Sequence, residues 1–151
     1  MNFTAPISKF MTRKLMTVMP SDKLTRVKEI FDTSRIHHIP VVNYTTLLGI
    51  ISKSDILFLL DGAEKGKYDK LIESSRLHNY TAGDIMTKGI ATLSSHDRIN
   101  VALEVFAENL FHAIPIVDDG ELVGMLTPFD IIQALREEDM SRIKSNEGVM
   151  Q

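Results

Sequence analysis

The chain contains no cysteine and no tryptophan, and only 7% of its 151 residues are aromatic. Without cysteine there is no disulfide framework, no thiolate metal site and no cysteine nucleophile, which fits a reducing compartment such as the cytoplasm. No apolar run approaches the roughly 20 residues of a membrane span, and Met1 to Phe10 lacks the apolar stretch of a signal peptide. Neither insertion nor secretion is expected. Seventeen basic residues against twenty acidic ones, interspersed to a net charge of −3, supply no basic stripe for a nucleic-acid backbone. The glycine loops of the Walker and Rossmann types and the Gly-x-Ser-x-Gly elbow of serine hydrolases are also missing.

What remains is an ordinary globular composition, 44% hydrophobic and 25% charged. The length allows one compact body, or two small ones that must pack together because about 50 residues alone bury too little surface. An internal duplication narrows that choice. At an offset of 75 (86 − 11), residues 9–60 align without a gap on 84–135, with fifteen identities in fifty-two positions. Met11-Thr12 returns as Met86-Thr87, Asp22 as Asp97, His37 as His112, Ile39-Pro40 as Ile114-Pro115, Gly49 as Gly124 and Asp55-Ile56 as Asp130-Ile131.

Each copy reads in the same order. A short apolar stretch (Leu15 to Val18; Ile90 to Leu93) predicts a first strand, followed by Ser21-Asp22 or Ser95-His96-Asp97 as helix N-caps. An amphipathic helix comes next, with Leu24, Val27, Ile30 and Phe31 on its apolar face, or Ile99, Ala102, Leu103, Val105 and Phe106. Two apolar strands joined by a short hairpin loop follow, Ile39 to Val42 with Leu47 to Ile51, and Ile114 to Val117 with Leu122 to Leu126. A helix closes each unit, Ser54 to Leu60 or Phe129 to Leu135. The fold class is therefore α+β, two β-α-β-β-α repeats at 8–60 and 83–136. The polar connector 61–82 predicts one helical turn near Lys70 to Leu77 and the greatest internal mobility, and the charged tail 137–151 predicts a frayed end.

Met-Thr, His-x-x-Pro-[Val/Ile]-Val and Gly-x-x-[Ser/Thr]-x-x-Asp, each present twice in this order, resemble the cystathionine-beta-synthase (CBS) domain family, whose tandem pairs are called Bateman modules. The resemblance implies two repeats packed about a pseudo-twofold axis. It also implies clefts between them that take AMP, ADP, ATP or S-adenosylmethionine. Such a module regulates another chain, commonly as a homodimer, and is not itself an enzyme; stand-alone pairs occur in bacteria and archaea. A structural dimerisation or scaffold module with vestigial clefts is the alternative reading.

Ser52-x-x-Asp55 and Thr127-x-x-Asp130 stand after the last strand of each copy. By themselves they read as capping boxes. A carboxylate is also an acceptor-only group suited to two vicinal ribose hydroxyls, the role the resemblance implies for Asp55 and Asp130. A phosphate would sit at the helix start among cations. Copy one offers Arg35, His37, His38 and Lys53, whereas copy two keeps His112 but has Leu110, Ala113 and Pro128 at the other three positions. The Asp55 cleft is thus expected to be the more phosphate-competent. The resemblance further implies adenine walls from Ile90, Thr92 and Ile114 for the Asp55 cleft and from Leu15, Thr17 and Ile39 for the Asp130 cleft; the apolar ones read equally well as core, the threonines as backbone-satisfied edge hydroxyls. No metal site is expected, because the adjacent His37 and His38 point to opposite faces of an extended chain and no third ligand has a recognised spacing. The eight methionines read as adaptable core filler.

Overall fold

A proline sets the first departure from the expected strand pattern. In this computed structural model, which describes residues 1–61 and 69–147, the first apolar stretch of each copy forms a single parallel bridge, Val18 to Val41 or Leu93 to Ile116. Val18 N–H donates to the Pro40 carbonyl (3.1 Å) and its own carbonyl accepts from Val42 N–H (2.9 Å). The next rung back would need an N–H from Pro40, and the next rung forward one from Pro20; neither has one. Pro115 blocks the backward rung beside Leu93 in the same way, and on the forward side Ser95 N–H is spent on Asp118 Oδ1 (2.9 Å).

The other elements follow the sequence closely. Helix α1 (Leu24–Thr33) is followed by β1 (His38–Asn43), β2 (Thr46–Ser52) and α2 (Lys53–Asp61), with β1 and β2 antiparallel and Ile39 opposite Ile51. Then come α3 (Asp69–Asn79) and the short α4 (Ala82–Ile85). The second copy supplies α5 (Ile99–Ala107), β3 (Ile114–Asp118), β4 (Glu121–Leu126) and α6 (Pro128–Glu147), with β3 and β4 forming a second two-stranded sheet. Its hairpin turns at Asp119 (φ 50°) and Gly120 (φ 81°), the paired left-handed conformations that a two-residue turn needs to match strand twist.

Three further expectations are corrected. The caps of α1 and α5 are Lys23 and Arg98, without side-chain capping bonds. Asp22 and Asp97 sit one residue earlier and tie the preceding turn, each accepting at 2.8 Å from Met19 N–H or Ser94 N–H. The free N–H groups of the helix starts go instead to neighbouring backbone: Leu24 N–H to the Tyr80 carbonyl (3.1 Å), Ile99 N–H to that of Ala5 (2.9 Å). Secondly, α3 spans three turns of the connector, lying against α1 and α2, with Leu77 buried and the Arg76 guanidinium donating to the Leu59 carbonyl. Thirdly, α6 continues through the charged segment to Glu147, helped by the Arg142–Glu138 pair at 2.7 Å, four residues apart. The mobility expected of the connector and the fraying of the tail concern residues 62–68 and 148–151 as well, which lie outside the described residues.

The chain forms two compact units. One, the Asp55 unit, comprises Leu15–Ile90 with Gly120–Leu122; the other, the Asp130 unit, comprises Met1–Lys14, Ala91–Asp119 and Val123–Gln151. Each copy's lead-in segment is therefore built into the other copy's core. In the Asp130 unit, Ile7 and Met11 pack with Ile99, Ala102, Ile114, Ile116, Leu126 and Ile131. The offset-equivalent residues Ala82 and Met86 do the same in the Asp55 unit, against Leu24, Val27, Ile39, Val41, Ile51 and Ile56. Backbone bridges seal each exchange, Thr12 to Met125 and Thr87 to Ile50.

The repeated Gly and Met have a reason here. A Cβ on Gly124 would stand 2.7 Å from Met11 Sδ and 3.0 Å from the Thr12 carbonyl; on Gly49 it would meet Met86 Sδ at 2.7 Å and the Thr87 carbonyl at 2.8 Å. Only a strand position without a side chain lets the lead-in lie this close. Among the described residues no helix is long and apolar enough to cross a membrane.

Candidate functional site

Both helix-start motifs form the reciprocal bonds of a capping box. Ser52 N–H donates to Asp55 Oδ2 at 2.7 Å, and Asp55 N–H returns to Ser52 Oγ at 3.1 Å. The Ser52 hydroxyl also meets Ser54 Oγ at 2.9 Å. Asp55 Oδ1 has no partner among the described residues. The carboxylate is thus held at one oxygen and open at the other, half-buried at the head of α2.

Asp130 is more heavily engaged. Its Oδ2 accepts from both Thr127 N–H and Thr127 Oγ1, each at 2.7 Å, and its Oδ1 accepts from Thr12 Oγ1 at 2.8 Å. Thr12 reaches it because the lead-in of the first copy is stitched to β4 through Met125, N–H to carbonyl in both directions at 2.9 Å. The sequence motif Met-Thr marks Thr12, but only the exchange of lead-ins brings it to a carboxylate 118 positions away.

The cation-bearing residues of copy one share the Asp55 unit. Lys53 N–H donates to the His37 carbonyl at 2.8 Å, seating the two residues side by side at the start of α2. His37 and Arg35 are exposed, and His38 and Lys53 are half-buried. In copy two Pro128 replaces Lys53 and has no N–H to make the same link, and His112 is exposed. The amide donors of α2 and the nearby cations suit an anionic group, while the open Asp55 oxygen suits a hydroxyl donor.

The six residues expected beside adenine divide differently. Ile39 and Ile114 are core residues, 0% and 2% exposed. Leu15, Thr17 and Ile90 are half-buried and Thr92 is exposed. Neither Thr17 nor Thr92 spends its hydroxyl on a partner among the described residues. Leu15, Thr17, Ile39 and Ile90 belong to the Asp55 unit, Thr92 and Ile114 to the Asp130 unit. Among the described residues no three His, Asp or Glu side chains gather as a metal cluster.

Comparison with known proteins gives this geometry its context. The family model for the CBS domain matches twice, at residues 7–62 and 82–137. An inosine-5'-monophosphate dehydrogenase of Thermoplasma acidophilum is 28% identical over 131 residues, covering 86% of this chain and 24% of the dehydrogenase. An uncharacterised protein of Methanocaldococcus jannaschii is 28% identical over 146 residues, 91% of this chain and 50% of that protein. The chain thus spans between a quarter and a half of these curated relatives. Among solved structures, CBSX2 in complex with AMP superimposes with a TM-score of 0.72 at 28% identity, covering 89% of this chain and 98% of that one. Two matched repeats, each closing on a hydroxyl and carboxylate at a helix start, lead to one conclusion: the chain belongs to the CBS domain family.

Proposed function

We propose that the protein is a regulatory, non-catalytic module that binds an adenosine ligand, with Asp55 and Asp130 accepting the ribose diol and the cations of the Asp55 unit receiving the phosphate. One observation carries this reading: Asp55 is oriented by Ser52 N–H at one oxygen and has its other oxygen open at a helix start flanked by His37 and Lys53. The similar CBSX2 structure with AMP supports the ligand class. S-adenosylmethionine, whose sulfonium is cationic, fits the Asp130 helix start, where Leu110, Ala113 and Pro128 stand in place of the copy-one cations, better than a triphosphate would. Ligand occupancy would alter docking to a partner protein, and only a difference in affinity between two states can drive that change.

A ligand present at about one hundred times its dissociation constant stabilises the fold by about 2.7 kcal/mol, about 5–10 °C in melting temperature for a chain of this size. A thermal-shift panel of AMP, ADP, ATP, S-adenosylmethionine and NADH is expected to show such a rise for at least one compound. The rise should shrink in Asp55→Ala for a phosphate-bearing ligand, to what Asp130 alone supports. No shift with any compound at millimolar concentration would leave the scaffold reading in its place.

A further inference from the structure

We infer that Thr12 sets the two units apart, holding Asp130 in a hydrogen-bonded state that makes it the weaker ribose acceptor; the inference rests on the reading of Asp55 and Asp130 as diol acceptors. A carboxylate offers about four lone-pair positions. At Asp130 three are taken, two by Thr127 and one by Thr12, whereas at Asp55 one is taken, by Ser52 N–H. A vicinal diol brings two donors. Asp55 accommodates both without losing a bond, but Asp130 must give one up.

The difference comes from side chains, since the backbone is arranged alike in the two units. Thr12 is bridged to Met125 and Thr87 to Ile50 by the same pair of N–H to carbonyl bonds, all between 2.9 and 3.0 Å. In the Asp55 unit the cap hydroxyl of Ser52 meets Ser54. The position equivalent to Ser54 is Phe129, so the Thr127 hydroxyl turns onto its own carboxylate, and Thr12 takes the remaining oxygen. Thr87 makes no such bond to Asp55 among the described residues. The Thr12 bond also joins the first copy's lead-in to the head of α6, so a diol that displaces Thr12 from Asp130 also removes that link.

Calorimetric titration of the full chain with AMP tests this. Asp55→Ala isolates the Asp130 acceptor, and adding Thr12→Val to it is expected to tighten AMP by about tenfold or more, the effect of one competing hydrogen bond to a charged group. Thr12→Ser in the same background keeps the hydroxyl and should bind like Asp55→Ala alone. Thr87→Val in an Asp130→Ala background should leave AMP affinity unchanged. If the Asp55→Ala, Thr12→Val chain binds AMP no tighter than Asp55→Ala, or more weakly, Thr12 is not a competitor and the inference falls. If the wild-type chain takes up no AMP at all, the ribose reading itself has failed, which the unsubstituted protein shows on its own.

Discussion

Asp118 is the carboxylate, outside the two helix-start motifs, whose hydrogen bonds lower its pKa furthest among the described residues. Hydrogen bonds from the hydroxyl and N–H of Ser95, and then from the Ser94 hydroxyl, hold its pKa down to about 2. Ser95 is the buried polar residue that this carboxylate satisfies. A depressed carboxylate pKa contributes stability above its unfolded value near 4, and that contribution is lost as pH falls from about 4 toward 2. Thermal melts at pH 5, 3 and 2 are therefore expected to show a steeper acid loss in the wild type than in Asp118→Ala. Equal slopes would mean that the Ser94–Ser95 turn is held by other bonds. Nothing in the sequence set Asp118 apart from the other acidic residues, because its partners lie 23 and 24 positions away. Asp55 and Asp130 were legible, since a capping box is local and its residues are three apart.

At the scale of the element, the lead-in crossing a glycine is the feature that couples the copies. Gly124→Ala would place a methyl against Met11 Sδ, which can move, and against the Thr12 carbonyl, which is bridged to Met125 and cannot move freely. Overpacking of this kind costs about 1–3 kcal/mol. Chemical denaturation should show a loss in that range for Gly124→Ala and a similar one for Gly49→Ala. A change below about 0.5 kcal/mol, usual for surface sites, would mean that the lead-in is loosely seated. The helices and hairpins could be read from period and turn residues, whereas the first strands could not: a rung that stops for want of an N–H on Pro40 depends on which strand lies alongside.

For the whole molecule, the exchange of lead-ins makes the stability of each copy depend on residues far from it along the chain. Ile7, 0% exposed in the Asp130 unit, immediately precedes the first copy in sequence. Ile7→Ala is expected to cost about 2–5 kcal/mol, whereas Phe3→Ala, at a side chain 57% exposed, should change stability by about 0.5 kcal/mol or less. Similar small losses for both would place Ile7 outside the core. Apolar side chains also remain exposed on the closing helices, Leu57 and Phe58 on α2 and Phe129 and Ile132 on α6, with Leu57 and Ile132 at equivalent positions. Exposed apolar side chains of this kind suit the homodimer expected from the family. Light scattering is expected to give twice the chain mass for the wild type and a single mass for Phe58→Glu with Ile132→Glu. A monomeric wild type would remove the dimer.

The sequence by itself determined the duplication, the order of elements in each copy, the two hydroxyl and carboxylate helix starts and the excess of cations in the first copy. All of these are properties of neighbours along the chain or of one copy set beside the other. The tertiary structure alone decided that Ile7 and Met11 serve the second copy's core while Ala82 and Met86 serve the first, and that Thr12 lands on Asp130 while Asp55 Oδ1 meets no such hydroxyl among the described residues. The physical reason is that a matched repeat has two equivalent partners for every lead-in. Which one it joins depends on the path of the intervening chain and on packing, and neither is written in the local pattern of residues.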